Sequence, residues 1–359
     1  MRLAANLVYQ GAGELARAAE QLGYAVVLAP EGYRSDAATV LGLVAGATST
    51  IGLASGVMQI PGRPPGMAAL TAATLDALSG GRFRLGLGVS NPDVSSGWYG
   101  VPFEGPLGRT REYVDIVRHA LAGGPVPYEG RYFRLPADGD DGAPLHLLTE
   151  GARSRIPVYL AAVGPRALHL AGRIADGWLG VFTPPEAVSD ALTHITSGRR
   201  AAGLSMAGFE VLPSLPTSVA DDPRTAIDAL RGQYVYLLGI GDPERNFYCA
   251  LARTLGYGED IARMRERLAA GDTGAAAAAV PAEFVDRTAL AGPVPRIADR
   301  MRAYADAGVT TLGIMVSAAA TSLEGRLHIL AAAAEALQLA GVDTGRPSNR
   351  PAARKAGLR

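Results

Sequence analysis

The sequence predicts a closed (β/α)8 barrel, the α/β fold also called a TIM barrel, on two observations. Eight apolar strand-like runs alternate with helical patterns along the chain. Near-continuous apolar strands are typical of parallel sheets that helices cover on both faces. An open doubly wound sheet fits less well, because Gly11-Ala12-Gly13 after the first strand lacks the third glycine of a G-x-G-x-x-G turn.

Turn residues mark the ends of the first predicted strands and helices. The first run, 3–9, precedes a helix that Gly23 ends, and the second, 25–29, leads into Pro30-Glu31-Gly32. Either Ser35 or Asp36 can cap the helix that follows. The other six predicted strands span residues 51–58, 83–89, 158–162, 178–182, 209–215 and 309–316.

Two stretches are longer than ordinary barrel loops. The insertion at about 91–150 carries a helical pattern and a hairpin pattern, and the insertion at about 223–307, between strands seven and eight, is mostly helical. Long insertions at the carboxyl end of a barrel usually form a lid over the substrate. We therefore expect one barrel domain over residues 1–341 and a flexible Pro/Arg-rich tail over 342–359.

The composition excludes several classes of function. The 359 residues carry 34 Lys+Arg against 34 Asp+Glu, so no net positive charge favours nucleic acid. No run is long and apolar enough to span a membrane, and the single cysteine, Cys249, suits a reducing compartment, which predicts a cytoplasmic protein. The only lysine, Lys355, lies in the tail, which argues against Schiff-base chemistry.

Polar residues at the predicted strand ends are the candidates for chemistry, because the reacting groups of barrel enzymes lie there. Glu31 is a candidate general acid or base, and its alternative role is a charge at the start of the next helix. Ala162-Val163-Gly164-Pro165 can offer backbone N–H groups to an anion, or is a plain helix start. No histidine has the spacing of metal ligands, so we expect no metal.

Several segments share a pattern with one known group of proteins. They are Ser35-Asp36-Ala37, 69–71, 74–82, 85–90, Gly97-Trp98-Tyr99-Gly100, 109–113, and 162–165 with Asp176-Gly177-Trp178. Together they resemble the luciferase-like monooxygenase superfamily. More narrowly, they resemble its branch of oxidoreductases that depend on the deazaflavin coenzyme F420, and the similarity covers about residues 3–316.

The resemblance implies a barrel whose carboxyl end holds the flat cofactor ring, with the cofactor phosphate on backbone amides after strand five. It also places a non-prolyl cis peptide at Gly56-Val57. Arg109 falls where members of the superfamily use arginine near the phosphate, and pairing with Glu112 or Glu104 is its alternative role. The residues expected at the cofactor are Gly56, Val57, Asn91, Arg109, Ala162, Val163 and Gly164.

The implied reaction is hydride transfer between reduced F420 and an activated C=C, C=N or C=O bond, in the direction of reduction. Relatives that oxidise sugar phosphates have a glutamate and a histidine where this chain has Asn91 and Gly32, so that activity is not expected here. Glu31 is the candidate proton donor. The residues expected at the small-molecule substrate are Tyr9, Gln59, Trp98 and Tyr99.

Two alternative functions and the expected partners remain. An FMN-dependent monooxygenase on the same barrel is the first alternative. A non-catalytic cofactor-binding protein is the second, since Asn91 can only hydrogen-bond and cannot donate a proton as an acid does. We expect a homodimer, because relatives are commonly dimers, and neither a membrane nor a nucleic acid as partner.

Overall fold

The computed structural model describes residues 1–32, 34–137 and 142–344 of the chain. Its strands are β1 (Arg2–Asn6), β2 (Val26–Ala29), β3 (Gly52–Ser55), β4 (Met58–Gln59), β5 (Phe83–Gly88), β6 (Tyr128–Glu129), β7 (Arg134–Leu135), β8 (Val158–Ala161), β9 (Gly177–Gly180), β10 (Glu210–Val219), β11 (Leu290–Gly292) and β12 (Thr311–Met315).

The helices surround these strands, and a short 3-10 helix follows β4 at Ile60–Gly62. They are α1 (Ala12–Gln21), α2 (Ala37–Ala47), α3 (Pro65–Leu78), α4 (Pro92–Gly97), α5 (Pro106–Ala122), α6 (Pro165–Ile174), α7 (Pro185–Ala201), α8 (Pro223–Gly239), α9 (Phe247–Thr254), α10 (Gly258–Ala269), α11 (Thr273–Ala279), α12 (Ala282–Thr288), α13 (Val294–Asp306) and α14 (Leu323–Ala340). Within the described ranges, none of them is long and apolar enough to cross a membrane.

Eight parallel strands close into a barrel, which confirms the predicted fold. Around the barrel they follow the order β1, β2, β3, β5, β8, β9, β10 and β12. Two pairings complete the circle: β9 with β10, where Trp178 is opposite Val211, and β12 with β1, where Leu312 is opposite Leu3. Each of the eight predicted runs overlaps one of these strands.

The structure departs from the predicted strands in two places. The predicted run 51–58 is divided into β3 and β4, and the Gly56-Val57 peptide bond at the division is cis. β11 has no counterpart among the predicted strands. It has three residues between α12 and α13 and pairs with the far end of β10, so its run is too short to show a strand pattern of its own.

Local sequence signals set the helix ends. The Asp36 carboxylate accepts the N–H of Thr39 at 2.7 Å, so Asp36 and not Ser35 caps α2. Gly23 follows α1 with a φ of 80°, a left-handed conformation that glycine adopts without a steric penalty. The predicted hairpin is formed by β6 and β7, which pair antiparallel.

The barrel interior is a packed core and not a pore. Seven inward side chains fill its middle: Ala4, Val26, Leu28, Ala54, Tyr159, Leu179 and Leu212. Full burial of each larger aliphatic side chain contributes about 1.5–3 kcal/mol to folding. Because side chains fill this core, a ligand cannot enter the barrel interior, and the open end of the barrel is its rim.

Charged residues at the amino end of the barrel have structural partners. The Glu210 carboxylate pairs with Arg2 at 2.7 Å. Asp176 pairs with Arg118 at 3.1 Å and with Arg155 at 2.7 Å, and it also accepts the N–H of Val158. These charges hold the bottom of the barrel together, so the functional groups must be sought at the carboxyl end.

The segment between β10 and β12 has a hydrophobic core of its own. Phe182, just after β9, stacks on Tyr234 of α8 with ring centroids 5.0 Å apart and an angle of 7° between the rings. Phe284 of α12 packs against both rings edge-on. Since Phe182 belongs to the carboxyl rim, the helical segment is anchored beside the barrel mouth.

Of the expected tail, residues 345–359 lie outside the described residues.

Candidate active site

Val57 forms an apolar floor across part of the barrel mouth. Its side chain lies over Gly88, the last residue of β5: a Cβ atom on Gly88 would be 2.7 Å from Val57 Cγ2. The same Cβ would be 3.5 Å from the Ala161 Cβ, so the three residues meet at one level of the barrel. The absence of a side chain at Gly88 and the small side chain of Ala161 therefore leave room for the apolar side chain of Val57 at this level.

Two buried polar atoms at the rim have no hydrogen-bond partner in the described structure. They are Asn6 Oδ1, at the end of β1, and Gln59 Oε1, at the end of β4. The Ser214 hydroxyl of β10 lies near Asn6, since a Cβ on Gly313 between them would contact both side chains. An unpaired buried acceptor costs about 1–3 kcal/mol. These atoms can be satisfied by a ligand that carries N–H or O–H groups.

Glu31 lies just after β2 with only 5% of its side chain exposed. One carboxylate oxygen lies 2.7 Å from Arg63 Nη2, and the other accepts the backbone N–H of Gln59 at 3.0 Å. The N–H of Ala37, at the start of α2, donates to the carboxylate at 3.4 Å. Burial raises the pKa of the Glu31 carboxyl, while the Gln59 amide and the Arg63 charge act in the opposite direction.

All of these contacts of Glu31 are suited to an ionised carboxylate that accepts hydrogen bonds. They join the end of β2 to the end of β4 and to the start of α2, which agrees with the helix-start role left open by the sequence. In addition, Gln59 Nε2 donates to the backbone carbonyl of Glu31 at 3.2 Å. Glu31, Gln59 and Arg63 therefore form one hydrogen-bonded unit at the rim.

The loop after β8 presents backbone amides at the start of α6. Gly164 has φ 80° and ψ 158°, a conformation that residues with a Cβ rarely adopt, and Pro165 begins the helix. The first N–H groups of a helix have no partner within it. The carbonyl of Ala162 points the other way, where it accepts the indole N–H of Trp178 at 3.0 Å. The bond to Trp178 thus holds the loop with its amides available to an anion.

Arg109 does not make the ion pairs that were its alternative role. Its guanidinium lies over the rings of Tyr132 and Phe133, 5.5 and 5.4 Å from their centroids, and its Nε is buried without a partner in the described structure. Glu112 is occupied elsewhere: it accepts the backbone N–H groups of residues 131–133. The alternative pairing of Arg109 with Glu112 or Glu104 is therefore not formed, and Glu112 accepts the hairpin amides instead.

The aromatic residues expected at the substrate lie at the rim or beside it. Tyr9 is 49% exposed and Trp98 is 65% exposed, so Trp98 is not a core aromatic. Tyr99 packs against Gly62, where a Cβ would lie 2.9 Å from the Tyr99 ring. Asn91 caps α4, since its Oδ1 accepts the N–H of Val94 at 2.8 Å.

Two contacts tie the helical insertion to the rim loops. Asp93 of α4 pairs with Arg245 at 3.2 Å and also accepts the N–H of Asp242 at 3.1 Å. Arg34, after β2, lies over the ring of Tyr236 of α8 at 5.2 Å. The insertion is thus joined to the loops after β2 and β5, which is the position that a lid requires.

The structure brings most of the expected site residues together in two groups. One group surrounds Val57 and Gln59 at the ends of β2 to β5, and the other is the amide loop after β8. Arg63, Ser214 and Trp178 are not among the site residues predicted from the sequence. Trp178 belongs to a recognised motif and Ser214 follows the alternation of β10, but their partners are set by the closure of the barrel.

No three His, Cys, Asp or Glu side chains in residues 1–32, 34–137 and 142–344 are placed to hold a metal ion. The polar groups of the rim include amides and hydroxyls, and the carboxylates of Glu31 and Asp93 are paired with arginines. This set is suited to binding an organic ligand through hydrogen bonds.

Comparison with known proteins agrees with this geometry. Residues 2–311 match the family model described as luciferase-like monooxygenase. The chain belongs to this family. The resemblance drawn from the sequence motifs is therefore confirmed, and it extends over the barrel and the insertions.

Individual relatives are similar over most of their length. The chain is 35% identical over 333 residues, 89% of this chain and 96% of the relative, to a Mycobacterium tuberculosis protein provisionally named a coenzyme F420-dependent oxidoreductase. It is 30% identical over 277 residues, 76% of this chain and 79% of the relative, to a 5,10-methylenetetrahydromethanopterin reductase of Archaeoglobus fulgidus. Among solved structures, the coenzyme F420-dependent tetrahydromethanopterin reductase of Methanopyrus kandleri superposes with a TM-score of 0.78 at 25% identity, covering 93% of this chain and 97% of that chain.

Proposed function

We propose that this protein is an F420-dependent oxidoreductase that transfers a hydride between the reduced coenzyme and an activated C=C, C=N or C=O bond of a small molecule. The observation that carries the proposal is the amide loop at Val163-Gly164 beside an apolar floor with unpaired acceptors. The full-length similarity to a relative named for F420 supports the choice of cofactor. The predicted direction is reduction of the substrate.

The residues at the rim fit a deazaflavin. Val57 offers an apolar contact for the ring, and Asn6 and Gln59 offer unpaired acceptors for polar hydrogens. The amides of Val163 and Gly164 can hold the phosphate at the positive end of α6. When bound, a deazaflavin supplies hydride exchange without oxygen activation, because carbon replaces nitrogen at its central position. The protein contributes binding, orientation and the exclusion of water.

The contacts of Glu31 favour a positioning role. Two hydrogen bonds join Glu31 to Gln59: the Glu31 carboxylate accepts the backbone N–H of Gln59, and the Glu31 backbone carbonyl accepts the Gln59 side-chain amide. Proton donation by Glu31 stays a prediction, since it requires the carboxyl to be protonated and released from Arg63.

The two roles of Glu31 are separated by a pair of variants. If Glu31 positions Gln59, both Glu31→Gln and Arg63→Gln lower turnover, and neither changes the shape of the pH profile. If Glu31 donates the proton, Glu31→Gln alone removes one limb of the profile and costs about 10²–10⁴ in turnover. The measurement is turnover against pH at saturating cofactor, and unchanged turnover in both variants would contradict both roles.

The cofactor is tested by titration with F420 and FMN side by side. Quenching of ligand fluorescence gives each dissociation constant, and we expect a clear preference for F420. A preference for FMN, with oxygen consumption by the reduced form, would establish the alternative of a monooxygenase. Tight binding of F420 without turnover on a panel of enones, imines and carbonyl compounds would favour a non-catalytic binding protein.

We propose a homodimer formed through α2 and α3. These neighbouring helices expose four large apolar side chains, each between 42% and 65% accessible: Leu43, Met67, Leu70 and Leu78. Exposed apolar groups on adjacent helices are typical of a protein–protein interface. A second copy of the chain is the occupant we propose.

The cytoplasmic location argued from the single cysteine stays a prediction.

A further inference from the structure

A groove of about 580 Å³ lies outside the barrel, between the start of α5, the β6–β7 hairpin and α6. Its lining contains four arginines and one histidine: Arg111, Arg131, Arg166, His169 and Arg173. Three of them, Arg166, His169 and Arg173, follow the spacing i, i+3, i+7 on α6, which places them on one face of the helix. With a rise of 1.5 Å per residue, Arg166 and Arg173 are separated by about 10 Å along the helix axis.

The positive charge of this groove is not balanced by its one carboxylate. Glu112 is 3% exposed and accepts three backbone N–H groups of the hairpin, and its nearest guanidinium, that of Arg111, is 4.0 Å away. Within the described residues, no ion pair is formed by Arg131, Arg166 or Arg173. Like charges that line one groove repel each other unless an anion lies between them. The groove is therefore suited to a ligand with more than one negative charge.

The groove continues directly from the proposed phosphate site. Pro165 and Arg166 line its edge, and they are the two residues that follow Gly164. A ligand whose phosphate lies on the amides of Val163 and Gly164 can extend into the groove along α6. The part that follows the phosphate must then itself be anionic.

We infer that the groove binds a chain of carboxylates that extends from the cofactor phosphate. This inference rests on the proposed function: F420 carries an oligoglutamate chain beyond its phosphate, and FMN ends at the phosphate. Arginine is well suited to this task, because its planar guanidinium can donate two parallel hydrogen bonds to one carboxylate. The groove is thus a site that recognises the chain of the cofactor, separate from the site of its ring.

The test compares F420 that has several glutamates with the same cofactor that lacks the glutamate chain. Each exposed ion pair strengthens binding by roughly 1.4- to fivefold, so three pairs predict a preference of about threefold to about 150-fold for the longer form. This preference should shrink as salt is raised from about 0.01 M to 1 M, because the screening length falls from about 30 Å to about 3 Å. Fluorescence quenching measures both dissociation constants without any substrate.

The Arg131→Gln/Arg173→Gln double variant should bring the ratio of the two dissociation constants close to one. Arg17→Gln, which changes an exposed arginine of α1 outside the groove, is the matched control and should keep the wild-type ratio. Equal affinity of the wild type for both forms would overturn the inference while leaving the proposed function intact. An equal loss of affinity for both forms in the double variant, with the ratio unchanged, would also overturn it. If the wild type binds neither form, the proposed function itself fails.

Discussion

The anion-binding role that we propose for the loop after β8 predicts a specific effect of Gly164→Ala. A Cβ on Gly164 would meet no atom within 4 Å, so the substitution creates no clash. Its effect comes from the backbone, because a φ of 80° with a ψ of 158° is accessible almost only to glycine. Holding alanine there costs about 1–3 kcal/mol.

The variant can avoid this cost by rotating the loop, and the rotation turns the amides of Val163 and Gly164 away from the anion. A hydrogen bond to a charged group contributes about 1.5–3 kcal/mol, so losing one weakens cofactor binding by about tenfold to a hundredfold. The assay is the dissociation constant for F420, measured together with the free energy of unfolding in urea.

Gly203→Ala is the matched control for this experiment. Gly203 also has a positive φ, 71°, and open space at its Cβ, but it lies in the turn after α7. We expect it to lower stability and to leave the dissociation constant unchanged. Wild-type affinity in Gly164→Ala, at a stability lowered as in the control, would refute the assignment of this loop to an anion.

Three other predictions concern the rim, the acid stability and the assembly. Trp178→Phe removes the donor to the Ala162 carbonyl, so we expect about 1–3 kcal/mol lower stability and weaker F420 binding; calorimetry and titration check both, and unchanged affinity would exclude a positioning role. Burial opposes ionisation of Glu20, but the N–H groups of residues 49–51 lower its pKa to about 2 from 4.5. Its contribution to stability is therefore present above pH 4.5 and lost as the pH falls towards 2. Glu20→Gln should reduce the change in the free energy of unfolding, measured in urea, between pH 4.5 and pH 2. Leu78→Glu should shift the protein from dimer to monomer in analytical ultracentrifugation, whereas a monomeric wild type would contradict the proposed interface.

Local patterns in the sequence were sufficient for the fold. Apolar runs, helical spacing and turn residues such as Gly23 and Asp36 act over a few neighbouring positions, so the eight barrel strands could be predicted along the chain. The motif at Ala162-Val163-Gly164-Pro165 predicted the start of α6 in the same way, since a helix start after a strand is a local event. β11 was not predicted, because three residues are too few to show the alternation of a strand.

Contacts between distant residues could not be read in this way. Glu31, after β2, pairs with Arg63, which follows β4. The Trp178 indole of β9 donates to the carbonyl of Ala162, after β8. Glu112 accepts hairpin amides and does not pair with Arg109. Each depends on how the barrel closes and on where the insertions fold back.

The arginine groove shows the same division between near and distant positions. The spacing of Arg166, His169 and Arg173 along α6 is visible in the chain, but Arg111 and Arg131 join them only because α5 and the hairpin pack beside that helix. Helices and strands follow from interactions between near neighbours, whereas a binding site requires side chains from separate elements. Their meeting is set by the packing of the whole barrel, which no short stretch of sequence contains.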